Sequence, residues 1–330
     1  MKYYCQKLND ELSCFHNRIM SCCSGQIGPI YYENYSNEDI DYERFYNIKK
    51  EAFSMLNEQD IDKSPCKDCF YLRPMKEGDT IDATYRMLHL SHWTHCNCGC
   101  IYCARMQDSK GEIASKASKS SYYSMLPIIK KLYKNKLLDK ENLVVVFQGG
   151  DISVLKEFKD LVKVCLKNGL KEAYIVTNNT IYQPMVKELL KKKKGQLITS
   201  LDAGTPETYL KIKRIDKFHS SVSNLKKYAS VTNGEKIVVK YIIVENYNDN
   251  IEEIYKFLDL MSSIGIKNTE FQIENKYALF ADLDKDPLPQ HYADLYLSFI
   301  KKCSELNLNF LIEERTKYVM EKYALKKSEA

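Results

Sequence analysis

Short apolar runs alternate with segments of helical period from about Tyr85 to Ile312. No other feature restricts the possible folds so strongly. The strand candidates are Arg86–Leu90, Leu143–Phe147, Ala173–Val176, Leu197–Leu201, Ile237–Val244 and Thr269–Ile273, with a last one over Asn309–Ile312 ahead of an exposed charged tail. The run Leu143-Val144-Val145-Val146-Phe147 is apolar throughout, as in a strand buried on both faces. The intervening helices are expected over Tyr122–Leu138, Val154–Leu166, Tyr182–Lys191, Ile251–Ser263 and His291–Leu306. Another is expected to start at Thr205-Pro206-Glu207, a capping hydroxyl followed by Pro at the first helical position. Alternation of this kind requires parallel strands joined by right-handed crossovers. Six β–α units are too few for the standard eight-fold barrel and fit a partial barrel or an open parallel sheet. Either arrangement places ligands at the C-terminal ends of the strands.

Cysteine usage is the second constraint. Of 12 cysteines, 10 lie in the first 103 residues, and only Cys165 and Cys303 follow. Cys165 falls on the apolar face of its helix and is expected in the core, and Cys303 is read as structural. The start of the chain lacks the apolar core of a signal peptide, so a cytoplasmic setting is expected. Clustered cysteines in that setting point to metal–thiolate chemistry more than to disulfides. Lys and Arg number 49 against 44 Asp and Glu, and the net charge of +5 is too small and too evenly spread to argue for nucleic acid. The Lys/Ser-rich stretches Ser109–Ser121 and Lys191–Lys194 read as solvated loops or helix ends. No apolar run reaches the ~18 residues of a membrane helix.

The densest group is His95-Cys96-Asn97-Cys98-Gly99-Cys100-Ile101-Tyr102-Cys103, just after the first of these strands. Cys96, Cys100 and Cys103 are spaced C-x3-C-x2-C. Structural zinc takes four closing ligands, commonly as two C-x2-C pairs. Three thiolates in one tight loop suit an iron–sulfur cube with one iron left open. Cys98 lies inside the loop, and spacing alone leaves open which thiolates bind. His89, His92 and His95 crowd the loop and are read as packing or shell residues.

This loop resembles the C-x3-C-x-aromatic-C signature of the radical S-adenosylmethionine (SAM) superfamily, with Tyr102 at the aromatic position. The resemblance continues in order over roughly residues 84–275. Gly149-Gly150-Asp151 resembles the family's Gly-Gly-Glu segment, with Asp in place of Glu. Thr177-Asn178-Asn179 resembles its T-N-G segment, and Ser200-Leu201-Asp202 its S-x-D segment. The resemblance implies an α/β fold, a partial (β/α)6 TIM-like barrel, with a small Cys-rich N-terminal module. It implies a [4Fe–4S] cluster on Cys96, Cys100 and Cys103. It also implies SAM bound by Tyr102 against the adenine, Gly149, Gly150 and Asp151 at the amino group, Ser200 and Asp202 at the ribose hydroxyls and Arg214 at the carboxylate, with Asn178 of the T-N-G segment also at the cofactor. A reduced cluster would then cleave SAM to a 5′-deoxyadenosyl radical that abstracts a hydrogen from the substrate. The protein's share of that chemistry is positioning and exclusion of water. A reducing partner such as flavodoxin or ferredoxin follows from it.

Residues 1–80 read as a separate unit, with a hairpin of Leu12–Phe15 and Ile19–Cys22 and a helix over Tyr42–Leu56. Residues 81–280 form the core and 281–330 an extension. Cys5, Cys22, Cys66 and Cys69 resemble the ligands of SPASM and twitch auxiliary-cluster modules, with Cys14 or Cys23 as replacements, although such modules usually follow the barrel. A second [4Fe–4S] cluster is expected there, with zinc as the alternative. Modules of this type accompany enzymes that oxidise, crosslink or epimerise peptides and proteins. A sugar or small metabolite is the alternative substrate. A reading of another class is a non-catalytic zinc-binding interaction protein, which leaves the Gly149-Gly150-Asp151 and Ser200-Leu201-Asp202 segments unexplained.

Overall fold

A computed structural model of the chain describes residues 2–15, 18–20, 30–31, 42–58, 66, 69, 71–103, 123–274, 277 and 288–324. Packing divides it into two compact units, one of residues 1–95 and 120–175, the other of residues 96–119 and 176–330. These units of packing cut the chain differently from the three segments read from the sequence.

The first unit contains β1 (Tyr3–Cys5), α1 (Gln6–Asp10), β2 (Glu11–Phe15), β3 (Arg18–Met20), β4 (Ile30–Tyr31), α2 (Tyr42–Glu58), β5 (Leu72–Pro74), β6 (Met87–Ser91), α3 (Leu126–Lys134), β7 (Val144–Phe147), α4 (Phe158–Lys167) and β8 (Glu172–Val176). Strands β8, β7, β6 and β2 run parallel in that order. β3 and β4 then add antiparallel, with Cys14 opposite Ile19 in the expected hairpin. The hairpin is therefore no separate lobe: Glu11–Phe15 pairs residue by residue with Met87–Ser91. The apolar runs are buried as their pattern requires, with Leu88, Leu90, Val145, Phe147, Ala173 and Ile175 wholly enclosed. Cys165 is in that core, where burial pushes its thiol up to about 12.

Helix ends depart from expectation for local reasons. α3 begins later because Pro127 lacks an N–H and sits in the first turn, and it stops before Lys136, whose φ is 57°. α4 begins at Phe158 because the Asp151 carboxylate caps Ser153 N at 2.8 Å and forces a 3-10 turn over Ile152–Val154.

Lys49 of α2 is buried, donating to the carbonyls of Asp82 at 2.9 Å and Thr84 at 3.0 Å, over the Tyr85 ring. Burial pushes its pKa down to about 8, against the upward pull of Asp82 and Asp10. The unfolded chain therefore holds more protons between about pH 8 and the ordinary value of 10.5. This unit should gain stability as pH rises through that window. Urea titrations at several pH values should show the slope, and Lys49→Met, with no proton to lose, should flatten it.

The second unit contains α5 (Pro184–Lys191), β9 (Gly195–Ser200), α6 (Pro206–Lys213), α7 (Phe218–Ala229), β10 (Ile237–Ile243), α8 (Ile251–Ser263), β11 (Asn268–Ile273), α9 (Tyr292–Glu305), β12 (Asn309–Ile312) and α10 (Glu314–Val319). β9, β10, β11 and β12 are parallel in sequence order. Thr205 caps α6 as its sequence predicts, accepting from Thr208 N. The core is aromatic, with Tyr241, Phe257, Phe271 and Phe299 in contact. Cys303 is buried there beside Thr269. After Ile312, α10 buries Thr316 and Val319 and leaves its charged residues Glu314, Arg315 and Lys317 exposed. The six expected strands of the β–α units are all present, as β6 to β11. No described helix is long and apolar enough to cross a membrane.

Candidate active site

In the second unit, the cysteine loop lies against the C-terminal end of α6. Gly99 N donates to Lys213 O at 3.1 Å and Ile101 N to Ile212 O at 3.0 Å. A Cβ on Gly99 would lie 3.6 Å from that of Arg214, whose left-handed φ of 56° ends the helix. Cys96 is exposed, Cys98 is buried, and Cys100 and Cys103 are half-buried; none is in a disulfide. The Cys98 backbone N–H points at Cys96 Sγ at 3.4 Å. Hydrogen bonding to Cys100 and Cys96 pushes the Cys98 thiol up, so it stays protonated. The same bond from Cys98, helped by the Lys213 charge, pulls Cys100 down to about 6 against burial.

Asn178 follows β8 and reaches the loop, donating to Asn97 Oδ1 at 2.7 Å and toward Cys96 Sγ at 3.5 Å. Asn97 in turn donates to Thr180 Oγ1 at 2.8 Å. Ser200 ends β9 half-buried, and Arg214 is exposed. Asp202, expected at the ribose hydroxyls, follows β9. It is wholly buried with a left-handed φ of 59°, and both carboxylate oxygens are engaged by the protein. Oδ1 accepts from Ile242 N at 2.9 Å. Oδ2 accepts from the Tyr102 hydroxyl at 2.5 Å and from Lys213 Nζ. Lys213 Nζ also donates to the Tyr102 oxygen at 2.6 Å. Burial pushes the Tyr102 hydroxyl up, so it stays a donor. Burial alone would pull the Lys213 ammonium down, but Asp202 and Tyr102 outweigh it and hold the pKa well above the usual lysine value. Lys213 is the residue that sequence reasoning missed: within Lys211-Ile212-Lys213-Arg214 it reads as one more surface charge.

In the first unit, Gly149 and Gly150 follow β7 and lie along the chain after β6. Gly150 N donates to Trp93 O and Asp151 N to His95 O, both at 2.9 Å. Asp151, expected at the SAM amino group, is buried, and one of its carboxylate oxygens caps the turn at Ser153. The shorter carboxylate suits a cap, which needs only the N–H two residues on. His92 is buried against Glu157 at 3.0 Å, a packing role, and Glu157 also accepts from Ser124 Oγ and Met125 N.

The N-terminal cysteines partly converge. Cys5, Cys66 and Cys69 share one small core with Tyr4, Leu8, Phe53 and Leu56. Cys69 N donates to Cys66 O at 3.0 Å, and Cys5 Sγ caps α1. Cys14 stands apart, buried in β2 opposite Leu90, so its side chain belongs to the sheet core. Cys22 and Cys23 lie outside the described residues. Among the described residues, no three His, Cys, Asp or Glu side chains are gathered as a single metal ion would need. In a four-iron cube each cysteine holds a different iron, so the donor set asked for is a looser one. Several thiols on one tight loop, none of them in a disulfide, fit that chemistry.

The radical SAM superfamily profile matches residues 90–260, a little over half of the chain, and the chain belongs to that superfamily. A [4Fe–4S] cluster and SAM are the cofactors that membership implies. Among curated proteins, the dual-specificity RNA methyltransferase RlmN of Wigglesworthia glossinidia brevipalpis is 28% identical over 189 residues, 54% of this chain and 50% of that protein. A probable GTP 3′,8-cyclase of Saccharolobus islandicus is 25% identical over 176 residues, 52% of each chain. The chain thus spans about half the length of the curated relatives it matches. Among solved structures, Streptococcus suis SuiB bound to precursor peptide SuiA aligns with a TM-score of 0.52 at 16% identity, over 86% of this chain and 57% of that one. An anSMEcpe structure with bound AdoMet aligns with a TM-score of 0.50 at 18% identity, over 68% of this chain and 60% of that one. These likenesses show the fold, the α/β architecture with parallel strands expected from the sequence.

Proposed function

We propose that this chain is a radical SAM enzyme that modifies a peptide or protein by oxidation, crosslinking or epimerisation. When bound, the reduced cluster supplies the electron that cleaves SAM, and the 5′-deoxyadenosyl radical takes a hydrogen atom from the substrate. The observation that carries the reading is the loop itself. Its Cys96, Cys100 and Cys103 keep the C-x3-C-x2-C spacing within the matched family region, and none of them is in a disulfide. That spacing favours Cys96, Cys100 and Cys103 as ligands. By the family resemblance, Tyr102, Asn178, Ser200, Asp202 and Arg214 of the second unit are assigned to SAM, as are Gly149, Gly150 and Asp151 of the first. The fold likeness to SuiB, solved with its precursor peptide, supports a peptide substrate. A small metabolite is the second reading, favoured by the match to the GTP cyclase.

Anaerobic reconstitution, iron and sulfide counts, and a reductant-plus-SAM assay for 5′-deoxyadenosine test the proposal. Flavodoxin or ferredoxin are the natural reductants to supply. A colourless protein that binds zinc and forms no 5′-deoxyadenosine would overturn it in favour of a zinc-binding interaction protein.

The same proposal places an auxiliary cluster on Cys5, Cys22, Cys66 and Cys69, supported by the shared core of three of them. About eight irons per chain are expected, four for each cluster. Cys66→Ala/Cys69→Ala should bring the count to about four while sparing SAM cleavage. An unchanged iron count, or zinc in its place, would remove the auxiliary cluster from the proposal.

A further inference from the structure

We propose that Lys213 is a positioning residue for the cysteine loop: with Asp202 it forms a buried lock on the Tyr102 hydroxyl that fixes the loop against the end of α6 before any cluster is present. The relevance of this lock to catalysis rests on the radical SAM reading; the lock itself does not.

Side-chain and backbone contacts together make one device. At the side-chain level, Lys213 Nζ, the Tyr102 hydroxyl and Asp202 Oδ2 each touch the other two. At the backbone level, the same lysine offers its carbonyl to Gly99 N, and Ile212 offers its own to Ile101 N. Lys213 therefore grips the loop on both sides of Cys100, side chain on Tyr102 and main chain on Gly99. Behind Asp202 stands Asn248, wholly buried, which donates to Asp202 O at 2.8 Å and to Ile242 O at 2.8 Å. Those bonds hold Asp202 in its left-handed conformation. Lys213 and Asp202 are both shut away from water. A buried ion pair contributes little net stability against an apolar replacement, but removing one partner strands the other's charge. Such a pair earns its place by specifying geometry, and here that geometry is the path of Gly99 to Tyr102 between the candidate ligands.

Hydrogen exchange on the metal-free full chain, followed by mass spectrometry, tests this. In Tyr102→Phe, which keeps the ring and loses the hydroxyl, the peptide spanning Cys96–Cys103 should exchange about tenfold faster or more, while β9 and β10 keep their protection. Lys213→Met should do the same. If Lys213→Met unfolds through the stranded Asp202 charge, Asp202→Asn/Lys213→Met should restore the fold and leave the loop fast. Unchanged loop exchange in a folded Tyr102→Phe would overturn the proposal, as would loss of protection spread evenly over the whole unit. With iron and sulfide supplied, the variants should also load iron more slowly than the parent at equal final folding. Equal loading rates would overturn the link from lock to cluster. Should the parent itself bind no iron and cleave no SAM, the radical SAM reading fails, and the exchange data still decide the lock.

Discussion

Cys100→Ala is expected to reduce 5′-deoxyadenosine formation to background and to lower the iron count by about four per chain. An iron without its thiolate loses the covalent tie that keeps the cube in the loop, so no partial activity is expected. Cys98→Ala is the informative contrast. Cys98 sits between Cys96 and Cys100 as a protonated donor, and burial seals it from solvent. Its removal takes away one thiol hydrogen bond, worth about 1 kcal/mol, and no ligand. Iron content and SAM cleavage should therefore persist in Cys98→Ala. Iron counts and chromatography of 5′-deoxyadenosine on both variants check the pair. Loss in Cys98→Ala with retention in Cys100→Ala would hand the ligand role to Cys98 and redraw the loop's chemistry.

The parts legible in the sequence were those written locally. Leu143–Phe147 announces a buried strand by composition, Thr205-Pro206-Glu207 announces a helix start, and Ile251–Ser263 and Asn309–Ile312 are found where their periods put them. The hairpin at Cys14 and Ile19 was legible too, but its parallel pairing with Met87–Ser91 was not, because that partner is more than 70 residues away. The site divides in the same way. The cysteine spacing is a local pattern. The engagement of Asp202 depends on a left-handed backbone and on Ile242 and Lys213, which no window around Ser200 contains. Lys213 is hidden for a further reason: lysine is normally exposed, so a buried one is assigned to the surface until its partner is known. Asp151 illustrates a substitution whose meaning is geometric. One methylene shorter than Glu, it turns back onto its own chain at Ser153.

Gly150→Ala is expected to disrupt the first unit strongly. A Cβ at Gly150 would stand 1.9 Å from His95 O, and 2.7 Å from both His95 C and Trp93 Cδ1. Two of these atoms are backbone, and Trp93 is buried with its Nε1 tied to Asp151 O at 3.2 Å. None can yield by a simple rotation. The methyl must push apart two segments zipped by Gly150 N to Trp93 O, Asp151 N to His95 O and Ser91 Oγ to Gln148 O. Overpacking of this kind costs about 1–3 kcal/mol, and each buried group left unpaired adds about 1–3 kcal/mol. A loss of about 4 kcal/mol in urea denaturation is the expected result. Gly78→Ala is the control. It carries a positive φ, 88°, which Gly150 does not, but meets nothing within 4 Å, so it should cost only about 1 kcal/mol. Parental stability in Gly150→Ala would mean that the Trp93–His95 segment can move aside freely, and that Gly150 is not held by space.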